Sequence, residues 1–246
     1  MLIFSIYRLL MIGDGVGNML EALFSVEKNC PICQETFQVT RVRSRLVMMK
    51  QDSDFCSYYK DINPYYYKIW MCPHCGYAAQ DNYFEEILPA AAERIQGFFA
   101  DRNIRIDLSG TRSREQGIVS HQLAIVCAEL ASVPASRLAG LHMRLGWLYR
   151  EAKEVEQEQA TLLKAVDYYE HALDNENMPV GPMTELTITY LIGDLLRRTG
   201  QSERALLYLN KVVSSPKARQ EKRIADLARD AWQEVRAQRR EKEENA

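Results

Sequence analysis

Two pairs of cysteines have the spacing of metal ligands. Cys30-Pro31-Ile32-Cys33 and Cys72-Pro73-His74-Cys75 each separate two thiols by two residues, so that a tight turn can present half of a tetrahedral site to an ion such as zinc. Proline pre-sets such a turn, and Gly76 permits the positive φ that the chain needs after the second ligand, where the first pair has Gln34. The sequence therefore predicts one structural Zn²⁺ site, with the ligands Cys30, Cys33, Cys72 and Cys75.

The stretch of chain between the two pairs is long. Residues 34–71 separate them, whereas common four-cysteine zinc patterns have about 15–20 residues at this place. Each doubling of a loop's length costs only about 0.6 kcal/mol, and a structural zinc site contributes on the order of 10–16 kcal/mol. The gap is therefore compatible with a single site, and we expect it to form strands of its own.

Other roles for the cysteines stay open at this point. The two pairs could be unrelated reduced thiols or a redox dithiol, although a thioredoxin-like dithiol would be a single pair in a βαβ setting, which the sequence does not predict. Cys56 is expected to be a buried small hydrophobe, and the sharper hypothesis makes it a redox-responsive or accessory thiol near the metal. Cys127 lies on a predicted helix and is expected in the core.

Basic and aromatic residues accumulate between the cysteine pairs. Arg41, Arg43 and Arg45 precede Tyr58 and Tyr59, and single-stranded nucleic acid requires cations for its phosphates and aromatic rings for its bases. A small metal-binding domain also needs large side chains to fill a thin core. We favour the core interpretation and keep contact of these five residues with nucleic acid as the alternative.

Catalytic motifs are absent from the sequence. It contains no His-Glu-x-x-His, no Gly-x-Ser-x-Gly and no phosphate-binding loop. A zinc ion with four thiolate ligands has no open coordination position at which it could activate water. We therefore expect a protein that is not an enzyme.

Composition and charge describe an ordinary globular chain. Of its 246 residues 47% are hydrophobic and 26% charged, and the net charge is −2, so any attraction to nucleic acid or anionic lipid must be local.

The apolar start Met1–Ile12 is interrupted by Arg8 and is too short to span a membrane, which takes about 20 apolar residues. It lacks the order of a signal peptide, so we expect no membrane span and a cytoplasmic protein. A membrane-surface anchor is the alternative, and the true start is open between Met1, Met11 and Met19.

The hydrophobic pattern changes near residue 80. Before it, alternation within Gln34–Val47 and Tyr65–Met71 predicts short strands. After it, apolar residues recur every three or four positions, as in amphipathic helices; the first such stripe is Val119, Leu123, Val126 and Leu130. We divide the chain into an N-terminal extension (1–27), a zinc-ribbon-like head (28–80), a connecting helix and linker (81–114) and a helical domain (115–246).

The predicted helices come in pairs of the tetratricopeptide type. That pattern places a glycine in the first helix and small and bulky residues in the second. Gly146 and Gly193 fit the first position, and the second helices carry Ala165, Tyr169, Ala172, Ala205, Leu209 and Val212. The segment between Gly146 and Ala165 is about two helical turns longer than the pattern. Stacked helix pairs of this kind present a concave surface to a protein or peptide.

These residues resemble a bacterial family catalogued only as a domain of unknown function, number 2225. The resemblance is specific over residues 52–77, covers about 25–215, and is carried by Asp54-Phe55-Cys56, Tyr59, Asn63-Pro64, Tyr67, Trp70 and Cys72-Pro73-His74-Cys75-Gly76-Tyr77, preceded by Cys30-Pro31-Ile32-Cys33. It implies a zinc-ribbon-like head followed by tetratricopeptide-type helices, and no established activity.

The sequence thus predicts an α+β, mainly α fold, a small zinc-ribbon-like β head followed by tetratricopeptide-like antiparallel helix pairs. The first functional hypothesis is a non-enzymatic zinc-binding adaptor or scaffold whose helical repeats mediate protein–protein interaction. The alternatives are a nucleic-acid-binding zinc-ribbon protein and a thiol sensor that releases zinc on oxidation.

Overall fold

The structure, a computed structural model, describes residues 22–102, 106 and 108–244. They are mainly helical, with small antiparallel strand pairs near the N-terminus, so the prediction of a mainly α, α+β fold is confirmed. The alternative starts at Met11 and Met19 lie outside the described residues. The chain divides into two compact units: unit 1 ends at Ser132 but excludes Asp52–Cys56, and unit 2 consists of that segment together with the chain from Val133 onward.

From residue 22 onward, unit 1 contains three antiparallel hairpins. Strands β1 (Leu23–Asn29) and β2 (Thr36–Val42) pair with Val26 opposite Val39, and the first cysteine pair lies in their connection. Strands β3 (Met48–Gln51) and β4 (Ser57–Tyr59) form the second hairpin. Strands β5 (Ile69–Met71) and β6 (Ala78–Gln80) form the third, with the second cysteine pair in its turn. Strand β1 thus begins within residues 1–27, the range that the sequence analysis assigns to an N-terminal extension.

The strand predicted over Tyr65–Met71 is present only from Ile69 onward. Pro64–Tyr67 instead forms a short 3₁₀ helix. The Asn63 side chain accepts a hydrogen bond from the Tyr65 N–H at 3.0 Å, and proline fixes the φ angle of the first helical position. This local capping overrides the alternation of apolar and polar residues, which extends across the turn.

The described residues of unit 1 also form two helices, α1 (Pro89–Phe99) and α2 (Arg114–Ala131). We had placed the beginning of the helical domain at residue 115, whereas α2 packs against β5 and β6. Its buried face consists mainly of small residues, and the predicted stripe that begins at Val119 is only half-buried. The reason is close approach: a Cβ on Gly117 would lie 2.9 Å from Tyr66 Cδ1.

The predicted linker before α2 contains a buried arginine. Arg112 is 5% exposed, and its guanidinium donates to the carbonyl oxygens of Leu108, Tyr66 and Ile69 at 2.8–2.9 Å. A buried guanidinium that loses its water needs such acceptors. Arg112 therefore ties this segment to the 3₁₀ helix and to β5.

Unit 2 consists mainly of five helices within the described residues. They are α3 (Ala135–Ala152), α4 (Val155–Asn175), α5 (Glu185–Arg198), α6 (Ser202–Val213) and α7 (Lys222–Glu244). The contacts show that α3 and α4 are antiparallel, because Glu176, just after α4, bonds Ser136 near the start of α3, while the Tyr169 hydroxyl lies 3.8 Å from Met143 Sδ. No helix within residues 22–102 and 108–244 is long and apolar enough to cross a membrane.

In unit 2, a glycine allows two helices to approach closely in the pair α3–α4 and again in the pair α5–α6. A Cβ on Gly146 of α3 would lie 2.6 Å from Leu162 Cδ2 on α4, and a Cβ on Gly193 of α5 would lie 2.8 Å from Leu209 Cδ2 on α6. Real Cβ atoms do not approach carbon that closely, so any larger residue would force the leucine side chain or the helices to shift. The same small-against-large contact thus recurs in two successive helix pairs.

The segment Asp52–Cys56 brings a buried carboxylate into unit 2. Asp54 is 0% exposed, and its carboxylate accepts hydrogen bonds from Trp147 Nε1 at 3.0 Å and from Arg150 Nη2 at 2.6 Å. Arg198 Nε lies 3.6 Å from the same carboxylate and 3.0 Å from that of Asp194, which is equally buried. Burial alone would lower the pKa of Arg150, but the hydrogen bond and charge of Asp54 raise that pKa above its ordinary value.

Replacing Gly193 tests the close contact between α5 and α6. Gly193→Ala is expected to lower the free energy of unfolding by about 1–3 kcal/mol, since the added methyl group overlaps Leu209. The control is Gly97→Ala in the exposed part of α1, where a Cβ meets nothing within 4 Å and alanine favours the helix by about 1 kcal/mol. Urea denaturation followed by circular dichroism measures both, and a Gly193→Ala protein as stable as the wild type would contradict the packing.

Neutralising the buried carboxylate tests the acid–base cluster of unit 2. Asp54→Asn is expected to cost about 3–5 kcal/mol, because Arg150 and Arg198 then stay buried with less counter-charge. Asp226→Asn is the matched control, since Asp226 pairs with Arg229 on the surface and such pairs contribute about 0–1 kcal/mol. Equal unfolding midpoints of the two variants would show that Asp54 is not essential to unit 2.

Candidate metal centre

Both cysteine pairs form the same tight turn. The N–H of Gln34 donates to the carbonyl of Cys30 at 3.0 Å, and the N–H of Gly76 donates to the carbonyl of Cys72 at 3.0 Å. Gln34 and Gly76 have φ angles of 64° and 78°, so both positions adopt the left-handed conformation. The two turns therefore have the same geometry, but the left-handed conformation costs more conformational energy at Gln34 than at Gly76.

The two turns bring four sulfur atoms together. Cys30 Sγ lies 3.5 Å from Cys75 Sγ, and Cys33 Sγ lies 3.6 Å from Cys72 Sγ. All four Sγ atoms lie within 4.8 Å of one another. Zn–S bonds of about 2.3 Å in a tetrahedron place sulfur atoms about 3.8 Å apart. The four thiols could therefore hold one metal ion. We call Cys30, Cys33, Cys72 and Cys75 the four-cysteine cluster.

Without a metal ion, it is electrostatically unfavourable for several of these neighbouring cysteines to be deprotonated at the same time. The thiols of Cys30 and then Cys75 donate towards Cys72 and lower its pKa, whereas the hydrogen bond with Cys72 raises the pKa of Cys30. The pKa of Cys75 is likewise raised, first through its hydrogen bond with Cys30. Close approach of these sulfur atoms therefore opposes the simultaneous deprotonation of Cys30, Cys72 and Cys75. A divalent cation removes that restriction, because it stabilises all four sulfurs in the deprotonated form.

The cluster lies beside an aromatic core in unit 1. Cys30 and Cys72 are fully buried, whereas Cys33 and Cys75 are partly exposed. Phe84 is 0% exposed, and its ring lies 4.9 Å from that of Tyr77 and 5.8 Å from that of Trp70. Trp70 and Tyr77 lie in the stretch that carries the family resemblance, whereas Phe84 lies in a turn after β6 where no periodicity marks it.

The two other cysteines lie outside the cluster. Cys56 belongs to the segment of unit 2 and is 4% exposed, and its role as a redox or accessory thiol stays a prediction. Cys127 is buried on α2, where its sulfur accepts the Ala78 N–H at 3.4 Å. Burial raises the pKa of Cys127 to about 11, which keeps it protonated. Cys127 is therefore part of the core, as the sequence predicts.

The candidate nucleic-acid contacts occupy two neighbouring hollows in unit 1. Arg41, Arg43 and Tyr59 line a hollow of about 300 Å³, and Arg43, Arg45 and Tyr59 line a second of about 320 Å³. Tyr58 lines neither, and Lys50 Nζ lies 4.1 Å from the centre of its ring. The structure thus brings four of the five predicted residues together and separates the fifth.

The acid–base cluster around Asp54 was missed by the sequence analysis. Its members come from the segment Asp52–Cys56 and from α3 and α5, with no characteristic spacing. The available signal was Asp54 itself, an acidic residue directly before Phe55 and Cys56 in a part of the chain with a specific family resemblance.

Comparison with known proteins supports one assignment. A family model described as an uncharacterized protein conserved in bacteria, DUF2225, matches residues 23–235. The matched range contains both cysteine pairs, the segment Asp52–Cys56 and most of α7. No curated protein and no solved structure matches the chain.

Removing one sulfur tests whether the four-cysteine cluster holds zinc. Cys72→Ser is expected to reduce bound zinc from about one ion per chain to none and to unfold the head, since a structural site contributes on the order of 10–16 kcal/mol. Elemental analysis measures the zinc, and hydrogen exchange should show loss of protection in β1 and β2 with protection retained in α3–α7.

Cys56→Ser is the matched control for this loss. It removes a thiol that lies outside the cluster, so zinc content should remain at the wild-type level. Unchanged zinc in Cys72→Ser would remove Cys72 from the ligand set, and zinc loss in Cys56→Ser would make Cys56 an accessory ligand.

Proposed function

The chain belongs to the bacterial family DUF2225, whose description names no activity, and from its own residues we propose a non-enzymatic, zinc-binding adaptor protein. Zn²⁺ in the four-cysteine cluster stabilises unit 1, and the helix pairs of unit 2 bind a protein or peptide. The observation that carries the proposal is the set of four sulfurs within 4.8 Å of one another.

The ligand chemistry supports zinc in a structural role. Thiolate ligands favour zinc over hard cations such as magnesium or calcium, which prefer oxygen. Four sulfurs complete a tetrahedral shell, so no coordination position is left for water or substrate. Such an ion holds two hairpins together and does not catalyse hydrolysis.

The repeated helix contact supports the interaction role of unit 2. Gly146 against Leu162 and Gly193 against Leu209 are equivalent contacts in successive helix hairpins, as in tetratricopeptide-like arrays. Stacked hairpins of this kind offer extended surfaces for peptides. Arg150 and Arg198 are engaged by buried carboxylates, so the partner is recognised by other groups of the helices.

Free thiols fit the cytoplasm as the place of action. All six cysteines are unpaired by disulfides, and the reducing cytoplasm keeps paired thiols available for metal. The redox-sensor alternative gains no support from Cys56, whose 4% exposure limits access of an oxidant to its sulfur.

Cross-linking of the full-length protein in its native bacterial host tests the adaptor role. We expect partner peptides joined to exposed lysines of unit 2, such as Lys164, Lys211 and Lys217, identified by mass spectrometry after affinity capture. The Cys72→Ser protein is the control, since it should retain these cross-links if the partner contacts only unit 2. Recovery of no partner above background, or cross-links confined to Lys50 and Lys60 of unit 1, would contradict the proposal.

A further inference from the structure

Two neighbouring hollows on unit 1 share part of their lining. Their volumes, about 300 and 320 Å³, lie at the lower end of the range for ligand sites, which is about 300–1,000 Å³. Arg43, Leu46 and Tyr59 line both hollows. We call the combined surface the basic groove; neither the metal centre nor the adaptor role accounts for it.

The basic groove has a local charge opposite to that of the whole chain. It is lined by five cations, Arg41, Arg43, Arg45, Lys60 and Lys68, and by two carboxylates, Asp61 and Asp81. The excess is three positive charges, whereas the net charge of the chain is −2. A basic surface on an acidic chain is a local feature that selects for an anionic partner.

Several of these cations are not neutralised by a carboxylate of the described residues. Arg41 and Arg45 are exposed and make no ion pair within the described part of the chain, and the same holds for the ammonium group of Lys60. Lys68, by contrast, lies 3.4 Å from Asp81. Exposed cations without carboxylate partners remain free to neutralise phosphates, which is the main source of affinity for nucleic acid.

Strand geometry explains the alignment of the arginines. Arg41 lies near the end of β2, and Arg43 continues the same pairing through its N–H bond to the carbonyl of Ala22 at 2.8 Å. Side chains two residues apart in an extended chain point to the same side. The guanidinium of Arg41 also lies 5.7 Å from the centre of the Trp70 ring, which keeps its planar face against an aromatic surface.

Aromatic rings accompany these cations. Tyr59 is half-buried, lines both hollows, and lies with its ring 6.4 Å from that of Tyr65 in an edge-to-face arrangement. A partly exposed tyrosine beside cations offers a stacking face for a base. Neither an acidic peptide nor an anionic membrane surface needs such a face, so the pairing of rings with cations favours nucleic acid.

We propose that the basic groove binds single-stranded nucleic acid. Arg41, Arg43 and Arg45 neutralise successive phosphates, and Tyr59 stacks on a base at the junction of the two hollows. The site is separate from the proposed partner surface of unit 2, so it can be tested without knowledge of that partner.

Fluorescence anisotropy with the full-length, zinc-loaded protein tests this proposal. The probes are labelled single strands of RNA and of DNA of about 12 nucleotides, within the site sizes of known single-strand binders. We expect saturable binding at low salt, with a slope of log K against log[salt] of about −2 for three phosphates. Equal affinity for both probes supports recognition of phosphate and base, and tighter binding of RNA supports the same groove with added contacts to the 2′-hydroxyl.

Matched variants locate the binding. Arg45→Ala should weaken it about tenfold and reduce the salt slope by about 1, whereas Arg219→Ala, on the exposed surface of unit 2, should change neither. Tyr59→Leu should weaken binding about tenfold through loss of stacking, and Tyr58→Leu, outside the groove, should not. Zinc content and unfolding midpoint must stay at the wild-type level in all four proteins, which separates loss of contact from loss of fold.

Three outcomes would overturn the proposal. They are the absence of saturable binding at low salt, binding that Arg45→Ala and Tyr59→Leu leave unchanged, and tighter binding of vesicles with anionic lipid or of polyglutamate than of either oligonucleotide. The last result would assign the groove to a membrane surface or to an acidic peptide.

Discussion

Convergence of four sulfur atoms is the constraint on which unit 1 depends. Each cysteine pair closes a two-stranded hairpin, and an isolated hairpin of this size is marginally stable in water. An ion bound by both turns would join β1–β2 to β5–β6 and stabilise each through the other. Residues 34–71 must then leave the first turn and return to the second, which confines them to short strands and a 3₁₀ helix. The aromatic core around Phe84 adds the apolar burial that such a small domain needs.

Charges in the two units serve different purposes. In unit 2 the guanidinium groups of Arg150 and Arg198 are buried against Asp54 and Asp194, and desolvation makes these contacts obligatory for the fold. In unit 1 the exposed Arg41 and Arg45 have no carboxylate partner within the described residues. Arg150 and Arg198 are therefore structural, whereas no carboxylate of the described residues neutralises Arg41 or Arg45.

Prediction from the sequence succeeded where the signal is local and failed where packing decides. The four metal-ligand candidates were recognisable because their spacing describes a turn, and the helices were recognisable from their apolar period. The buried face of α2 was not, because it consists of small residues such as Ala124 and Ala128 that only a close neighbour selects. Hydrophobicity alone favoured the larger Val119 and Leu123, which are half-buried. The burial of Arg112, within the predicted linker, was also not recognisable. The carbonyl groups that accept its hydrogen bonds belong to Tyr66 and Ile69, which are distant in the sequence.

The sequence by itself determined the turns that bear thiols, the helical period after residue 80 and the glycines at the helix crossings, because each depends on side chains near one another along the chain. Only the tertiary structure decided that α2 belongs with the head, that Asp52–Cys56 belongs with the helices, and that Arg43 and Tyr59 share a groove while Tyr58 does not. These outcomes depend on which surfaces bury one another, and burial of distant residues leaves no fixed spacing in a sequence.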